Sequence, residues 1–373
     1  MEFFSPPSIG TMKLFNVVRR SRNEDNITQT EEDTKMKTRL KTLAVAAVVL
    51  STVAISAPPV VQAADYYKGK VITLIVPNSP SGRMTRYART YAPFIAKYTG
   101  AKSVRVVNKK GGGGVKGTNY LWSQKPDGKT IAFTSVPTLI LAQLSGSKAV
   151  KFDATKFVYL GRAATEPRTL LAGKKSGIKT VADLKNLKRP LVSASQGTDE
   201  DFYIIAILAN ALGIKVKFVT GYEGMNDISL ATIKGDSDAY MVSYRSARGA
   251  IKTGDLVPVV MIWDKRVKDH PDVQNALEIV SGKSKEAVQA VVNMMTMHRG
   301  FFGPPGMNKE ATKALRDAIW KAAHDPELIA EQKKKRQVHL PSHGDDEQKK
   351  IAQITAASQG IKPILAQALD SIK

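Results

Sequence analysis

The sequence contains no cysteine. That excludes disulfides, thiolate metal sites, a cysteine nucleophile and a lipidated amino-terminal cysteine. Histidine is scarce, with only His270, His298, His324, His339 and His343. His339 and His343 lie four apart, but Pro341 and Gly344 break the helix that would align them as metal ligands, so both read as loop residues. No serine sits in a nucleophile-elbow motif. Catalysis is therefore not supported, and no cofactor is expected. Acidic residues are also in short supply. There are 33 Asp and Glu against 56 Lys and Arg, a net charge of +23. Such a balance favours anionic partners, whether small acids, nucleic acid or acidic membrane, and does not choose among them.

Long apolar runs are missing too, with one exception. Residues 43–57 are apolar apart from small hydroxyl residues and follow Lys37, Arg39 and Lys41. About fifteen residues are short for a membrane span but suit the core of a secretory signal. Pro58 and Pro59 end the run, and Val61-Gln62-Ala63 offers small residues where a signal peptidase reads. Residues 36–63 are thus expected to be a signal peptide cut after Ala63, the alternative being a single anchor helix. Residues 1–35 are polar and aperiodic and precede a natural start at Met36. They are expected to be an unstructured upstream extension. The mature chain is expected in the periplasm, soluble and not a lipoprotein. Nucleic acid is then not an expected partner, and Lys333-Lys334-Lys335-Arg336 reads as the solvated face of a helix.

What is present is an alternation of short apolar runs with helical patterns, which argues for parallel sheets covered by helices. Val71-Ile72-Thr73-Leu74-Ile75-Val76 reads as a strand buried on both faces. A helix follows, with Tyr87, Ala88, Tyr91, Ala92 and Ile95 on one stripe and Gly100 as its stop. Further strands are expected at 104–107, 130–134, 158–161 and 169–172, with a helix at 115–123. The character changes near residues 165–168. A second series then begins, with Thr180 and Asp183 as a capping box. Its strands lie at 191–194, 216–219, 239–242 and 257–262, and its helices at 202–212 and 225–234. The remainder, from about Trp263, reads as mostly helical. The expected domains are 64–167 for the first part of domain 1, 168–262 for domain 2, and 263–373 for a return to domain 1 with carboxy-terminal helices.

Ligands of open α/β sheets sit beyond the carboxyl ends of strands. Residues 78–85 and 195–199 occupy such positions. Each loop is expected to present free N–H groups and a positive helix end to an anion. Gly112-Gly113-Gly114-Val115-Lys116-Gly117 has the form of a dinucleotide fingerprint, but no acidic residue follows at the expected distance. A flexible loop at the cleft edge is the better reading.

The stretch Pro77-Asn78-Ser79-Pro80-Ser81-Gly82-Arg83-Met84-Thr85-Arg86-Tyr87-Ala88-Arg89 resembles the first signature of the tripartite tricarboxylate transporter (Bug-type) receptors, Pro-x-x-Pro-Gly-Gly-x-x-Asp-x-x-Ala-Arg. Val106-Val107-Asn108, Gly111 to Gly114, Pro126-Asp127-Gly128, Thr180 to Leu184, Ser195 to Thr198, Tyr222-Glu223-Gly224, Gly235-Asp236, Pro304-Pro305-Gly306 and Asp325-Pro326 follow in the same order. The resemblance covers nearly all of the mature chain. It implies an α/β, two-domain periplasmic-binding-protein (Venus flytrap) fold, with two open, mostly parallel sheets and a ligand cleft between domains. It also implies a solute-binding receptor that delivers a small organic carboxylate, a di- or tricarboxylate or an aromatic acid, to the membrane subunits of a transporter.

The implied ligand-binding residues are Asn78, Ser79, Ser81 and Gly82 from the first loop, and Ser195, Gln196, Gly197 and Thr198 from the second. Thr134, Ser135, Ser243 and Tyr222 are further candidates. Two positions depart from the signature, Ser81 for its first glycine and Thr85 for its acidic residue. With Arg83 nearby, the change is expected to favour anions, and either Arg83 or Arg245 is expected to meet a second group on the ligand. A monomer is expected. An accessory role for a sensor kinase is the alternative in another class, and an enzyme on the same scaffold or a basic nucleic-acid binder is less favoured.

Overall fold

A computed structural model of the chain describes residues 66–372. The extension and the signal peptide expected at 1–35 and 36–63 lie outside the described residues. Strands form where β-branched and aromatic residues cluster. In the first sheet these are β1 (Val71–Val76), β2 (Ser103–Asn108), β3 (Thr130–Thr134) and β4 (Val158–Arg162). Helix α1 (Arg83–Thr99) joins β1 to β2, burying Tyr87, Ala88, Tyr91 and Ile95 and ending at Gly100 with φ 69°. That left-handed residue is a natural helix stop. Helix α2 (Val115–Trp122) leads into β3, and α3 (Val136–Leu144) follows it.

The chain then crosses to a second sheet. It comprises β5 (Arg168–Gly173), β6 (Leu191–Ala194), β7 (Val216–Val219), β8 (Ala239–Ser243) and β9 (Leu256–Ile262). Its helices are α4 (Val181–Lys185), α5 (Glu200–Leu212), α6 (Met225–Lys234) and α7 (Arg248–Lys252). Thr180 and Asp183 form the expected reciprocal cap of α4. After β9 come α8 (Gly282–Met295), β10 (Gly300–Gly303), α9 (Lys309–Ala323), α10 (Pro326–Lys334), β11 (Ser342–His343), α11 (Gly344–Ala357) and α12 (Lys362–Asp370).

The sheet orders are β11-β4-β10-β3-β1-β2 and β7-β6-β8-β5-β9. The fold is the expected two-sheet α/β architecture, but each sheet is mixed. β1 pairs in parallel with β2 and β3, whereas β10 runs antiparallel to β3 and β4. In the second sheet β6 is parallel to β7 and β8, and β5 is antiparallel to β8 and β9. The antiparallel strands β5 and β10 are the ones that follow the two crossings of the chain between the sheets.

The region after Trp263 is mostly helical, as expected, with two short strands, β10 and β11, among its helices. Gly300-Phe301-Phe302-Gly303 is fully buried between β3 and β4. The two sheets also share apolar packing. Helix α5 is buried along residues 200–209, as expected for a helix apolar on every side. Helices α3, α8 and α12 all pack on it. One apolar cluster therefore runs from Ile75, Leu139 and Phe302 of the first sheet's side to Phe202, Ile207 and Val260 of the second.

Candidate functional site

The loop after β1 is built by short polar side chains. The Asn108 amide donates to the Asn78 carbonyl and to Thr85 Oγ1, both at 2.8 Å. Thr85 donates in turn to the Ser79 carbonyl at 2.7 Å, and the Thr134 hydroxyl donates to Asn78 Oδ1 at 3.1 Å. The loop thus reaches Gly82, the N-cap of α1, with no side-chain cap and no acidic residue in the first turn. The N-cap of α6 in the second sheet is Gly224, also without a side-chain cap. A Cβ on Gly82 would lie 3.0 Å from Ser79 Oγ, and one on Gly224 would lie 3.6 Å from the same oxygen. Two helix amino ends from opposite sheets therefore meet around one serine hydroxyl. Their unpaired N–H groups and aligned dipoles favour an anion there.

Residues 195–199 are arranged differently. The Ser195 hydroxyl is engaged with Gly197, accepting its N–H at 3.1 Å and donating to its carbonyl at 2.6 Å. Asp199 caps α5 by accepting from the Phe202 N–H at 3.1 Å. The backbone of Thr198 and Asp199 faces the glycine turn Gly112–Gly114 of the other sheet. A Cβ on Gly113 would fall 2.6 Å from the Asp199 nitrogen. Gly113 also has φ 62°, so both its conformation and its surroundings require glycine. Nearby, Arg83 donates to the Arg245 carbonyl at 3.0 Å, and Lys110 pairs with Glu223.

Beneath these loops lies a buried ionic network. Ser135, the N-cap of α3, donates to the Glu200 carboxylate across the sheets. Arg168 pairs with Glu200 at 2.7 Å and with Asp201, and donates to Ser243 Oγ at 2.7 Å. Arg299 pairs with Glu166 and stacks over the Tyr87 ring at 4.7 Å. Its backbone is left-handed at φ 61°, an uncommon state for a non-glycine residue. His298 Nε2 lies 3.3 Å from Glu200.

Burial raises the pKa of Glu200, but Arg168 and then His298 outweigh it and hold the carboxyl at about 2. Burial pushes Asp201 well above the usual carboxylate range, against the pull of Arg168. Burial likewise lifts Asp199 to about 6 and drops His298 to about 4. Arg299 and Arg83 overcome the burial of Glu166 and keep it below its ordinary value.

The family described as tripartite tricarboxylate transporter family receptor matches residues 88–367. The chain belongs to this family. The receptor is 27% identical over 221 residues to a UPF0065 protein of Agrobacterium vitis, covering 58% of this chain and 63% of the relative. Among solved structures it is similar to the periplasmic binding protein BugD, with a TM-score of 0.62 and 18% identity, covering 81% of this chain and 97% of that one. It is also similar to MatC from Rhodopseudomonas palustris with bound malate, with a TM-score of 0.61 and 18% identity, covering 81% and 99%. The protein is thus a periplasmic solute-binding receptor of a receptor family, not of an enzyme family. Among the described residues no helix is long and apolar enough to cross a membrane.

The receptor brings Asn78, Ser79, Gly82 and Thr134 together at the first loop, where Ser81 is exposed and Thr85 is buried. Thr85 fixes the loop from within, so its replacement of an acidic residue acts through loop structure. Arg83, half-buried, reaches the backbone of the exposed Arg245 and not its side chain. Ser195, Gly197 and Thr198, with the half-buried Gln196, form the rim that meets the glycine turn. The expectation of a free positive helix end behind that rim needs correction. The amino end of α5 carries Asp199, Glu200 and Asp201, whereas α6 supplies an uncapped end. Ser135 and Ser243 belong to the ionic floor, and Tyr222 packs beside Leu171, Ala194 and Val242. Sequence reasoning missed Glu166, Arg168, Glu200, Asp201, His298 and Arg299. The run Asp199-Glu200-Asp201 at a helix start was the available signal.

Proposed function

We propose that the receptor captures a small organic carboxylate between its two sheets and presents it to the membrane subunits of a tripartite tricarboxylate-type transporter. The observation that carries this reading is the meeting of the uncapped amino ends of α1 and α6 around Ser79 Oγ. A carboxylate there accepts backbone N–H bonds from both sheets at once, so binding and closure are one event. The family match and the malate bound by the similar MatC support the ligand class. In this reading the chain acts as a monomer in the periplasm, exported by residues 36–63. Residues 64–167 and 263–373 form one domain, and 168–262 form the other.

Thermal unfolding against a panel of organic acids tests the proposal. A ligand at about 100 times its Kd adds about 2.7 kcal/mol to the folded state, raising Tm by roughly 5 °C for a chain of this size. Ser79→Ala is expected to weaken that shift, and bulkier Gly224→Val to abolish it. A panel in which no acid raises Tm would overturn the reading.

A further inference from the structure

We infer that Arg83 is a specificity-determining residue whose guanidinium binds the second carboxylate of a dicarboxylate ligand. The inference rests on the carboxylate-receptor reading and adds to it a charge contact that backbone amides cannot supply. Arg83 is the first residue of α1. The backbone N–H groups of Arg83, Met84 and Thr85 have no acceptor among the described residues. A carboxylate held at Ser79 by this turn is therefore no farther from the Arg83 guanidinium than that side chain reaches. The side chain crosses the gap, donating to the Arg245 carbonyl at 3.0 Å. Gly224 approaches Ser79 across the same gap. Arg245 itself is exposed and supplies only its backbone here.

The charge at Arg83 is unmatched. The buried Arg162, Arg168 and Arg299 are each paired with a carboxylate. Arg83 has no such partner among the described residues, and its buried Nε has no acceptor there. Burial lowers the Arg83 pKa, and Glu166 opposes that without reversing it. Glu166 is shared, because Arg299 is bonded to it. Two guanidinium groups thus face one carboxylate. The neighbouring groups do not close the difference. Burial keeps Tyr87 neutral and holds His298 at about 4, while Arg86 is a further, exposed cation. Glu200 and Asp201 are taken by Arg168, and Glu223, beside the α6 end, by Lys110. One positive charge is left over, partly shielded from water. A desolvated cation without a counter-ion is costly, and the planar fork of a guanidinium matches a carboxylate. The second carboxylate of a ligand supplies the missing charge.

The test is titration calorimetry of the purified protein with chain-matched pairs: succinate and butyrate, glutarate and pentanoate, adipate and hexanoate. At least one dicarboxylate is expected to bind at least about tenfold tighter than its monocarboxylate partner. Arg83→Gln removes the charge and is expected to collapse that ratio, with monocarboxylate affinity changed by less than about threefold. Monocarboxylates that bind as tightly as their partners overturn the inference and leave the receptor reading intact. So does an unchanged ratio in folded Arg83→Gln. If that variant does not fold, the wild type is treated with phenylglyoxal and modification of Arg83 is followed by mass spectrometry. At equal saturation the dicarboxylate is expected to protect Arg83 more than its partner does, and equal protection overturns the inference. Failure of every acid to bind overturns the reading and the inference together.

Discussion

The amino ends of α1 and α5 occupy equivalent places in the two sheets, each following a strand and a loop of small hydroxyl residues. Their chemistry is opposite. The end of α1 has a glycine N-cap and no acidic residue. The end of α5 has Asp199 as cap and Glu200 and Asp201 in its first turn, all buried. One end remains open to an anion from outside, and the other has been filled from within. Equivalent position in the fold therefore does not imply equivalent function. The local side chains decide whether a helix dipole is offered to a ligand or spent on structure.

The sharpest way to break this comparison is to remove the cation that makes the filled end tolerable. Arg168→Ala leaves Glu200 and Asp201 buried without their guanidinium, and should cost about 3–5 kcal/mol in urea unfolding. A loss below 1 kcal/mol would mean that the acidic end does not depend on Arg168.

Asp199→Asn keeps a good N-cap while making the α5 end more like that of α1. The Asp199 pKa is raised from 3.8 to about 6 in the folded state. The unfolded chain therefore releases this proton first, and stability is lost as pH rises between those values. Asparagine avoids the loss. The variant should match the wild type near pH 3.5 and exceed it by about 3 kcal/mol at pH 7. Equal stability at both pH values would show that Asp199 is not held in the way its burial requires.

The meeting of the two segments is probed by a matched glycine pair. Gly112 and Gly113 both have positive φ, at 55° and 62°, so alanine at either costs about 1 kcal/mol of backbone strain. Only Gly113 faces Thr198 and Asp199 closely. Gly113→Ala should therefore lower ligand affinity and raise the radius of gyration in X-ray scattering, and Gly112→Ala should do neither. Identical behaviour of the two would remove the glycine turn from the closure.

The smallest effect belongs to the rim. Lys110 and Glu223 are exposed partners, and Lys110→Ala should change stability by less than about 0.5 kcal/mol. A larger loss in thermal unfolding would raise the rim to the importance of the floor.

The fold was largely legible where one residue or one short pattern suffices. Strands β3, β6 and β7 have the expected limits, as does α6. Gly100 and Gly213 end their helices in left-handed states. The first loop was legible because its polar residues bond mainly to one another and to the nearby Asn108. Strand β10 was not. Gly300-Phe301-Phe302-Gly303 is too short to show a period, and its pairing with residues well over a hundred positions away is invisible locally. The ionic floor was hidden for the same reason. Glu166, Arg168 and Arg299 look unremarkable in sequence, because their partners come from separate elements.

By itself the sequence determined the alternation of elements, the small-residue loops at strand ends and the family to which the chain belongs. These are properties of neighbouring residues, written in periodicity and in glycine and proline. Only the tertiary structure decided that α6, and not α5, faces α1 across the gap, and that Glu200 already occupies the space between the sheets. Both facts depend on which distant segments share a dielectric environment, and charge pairing has no period that a linear pattern can display.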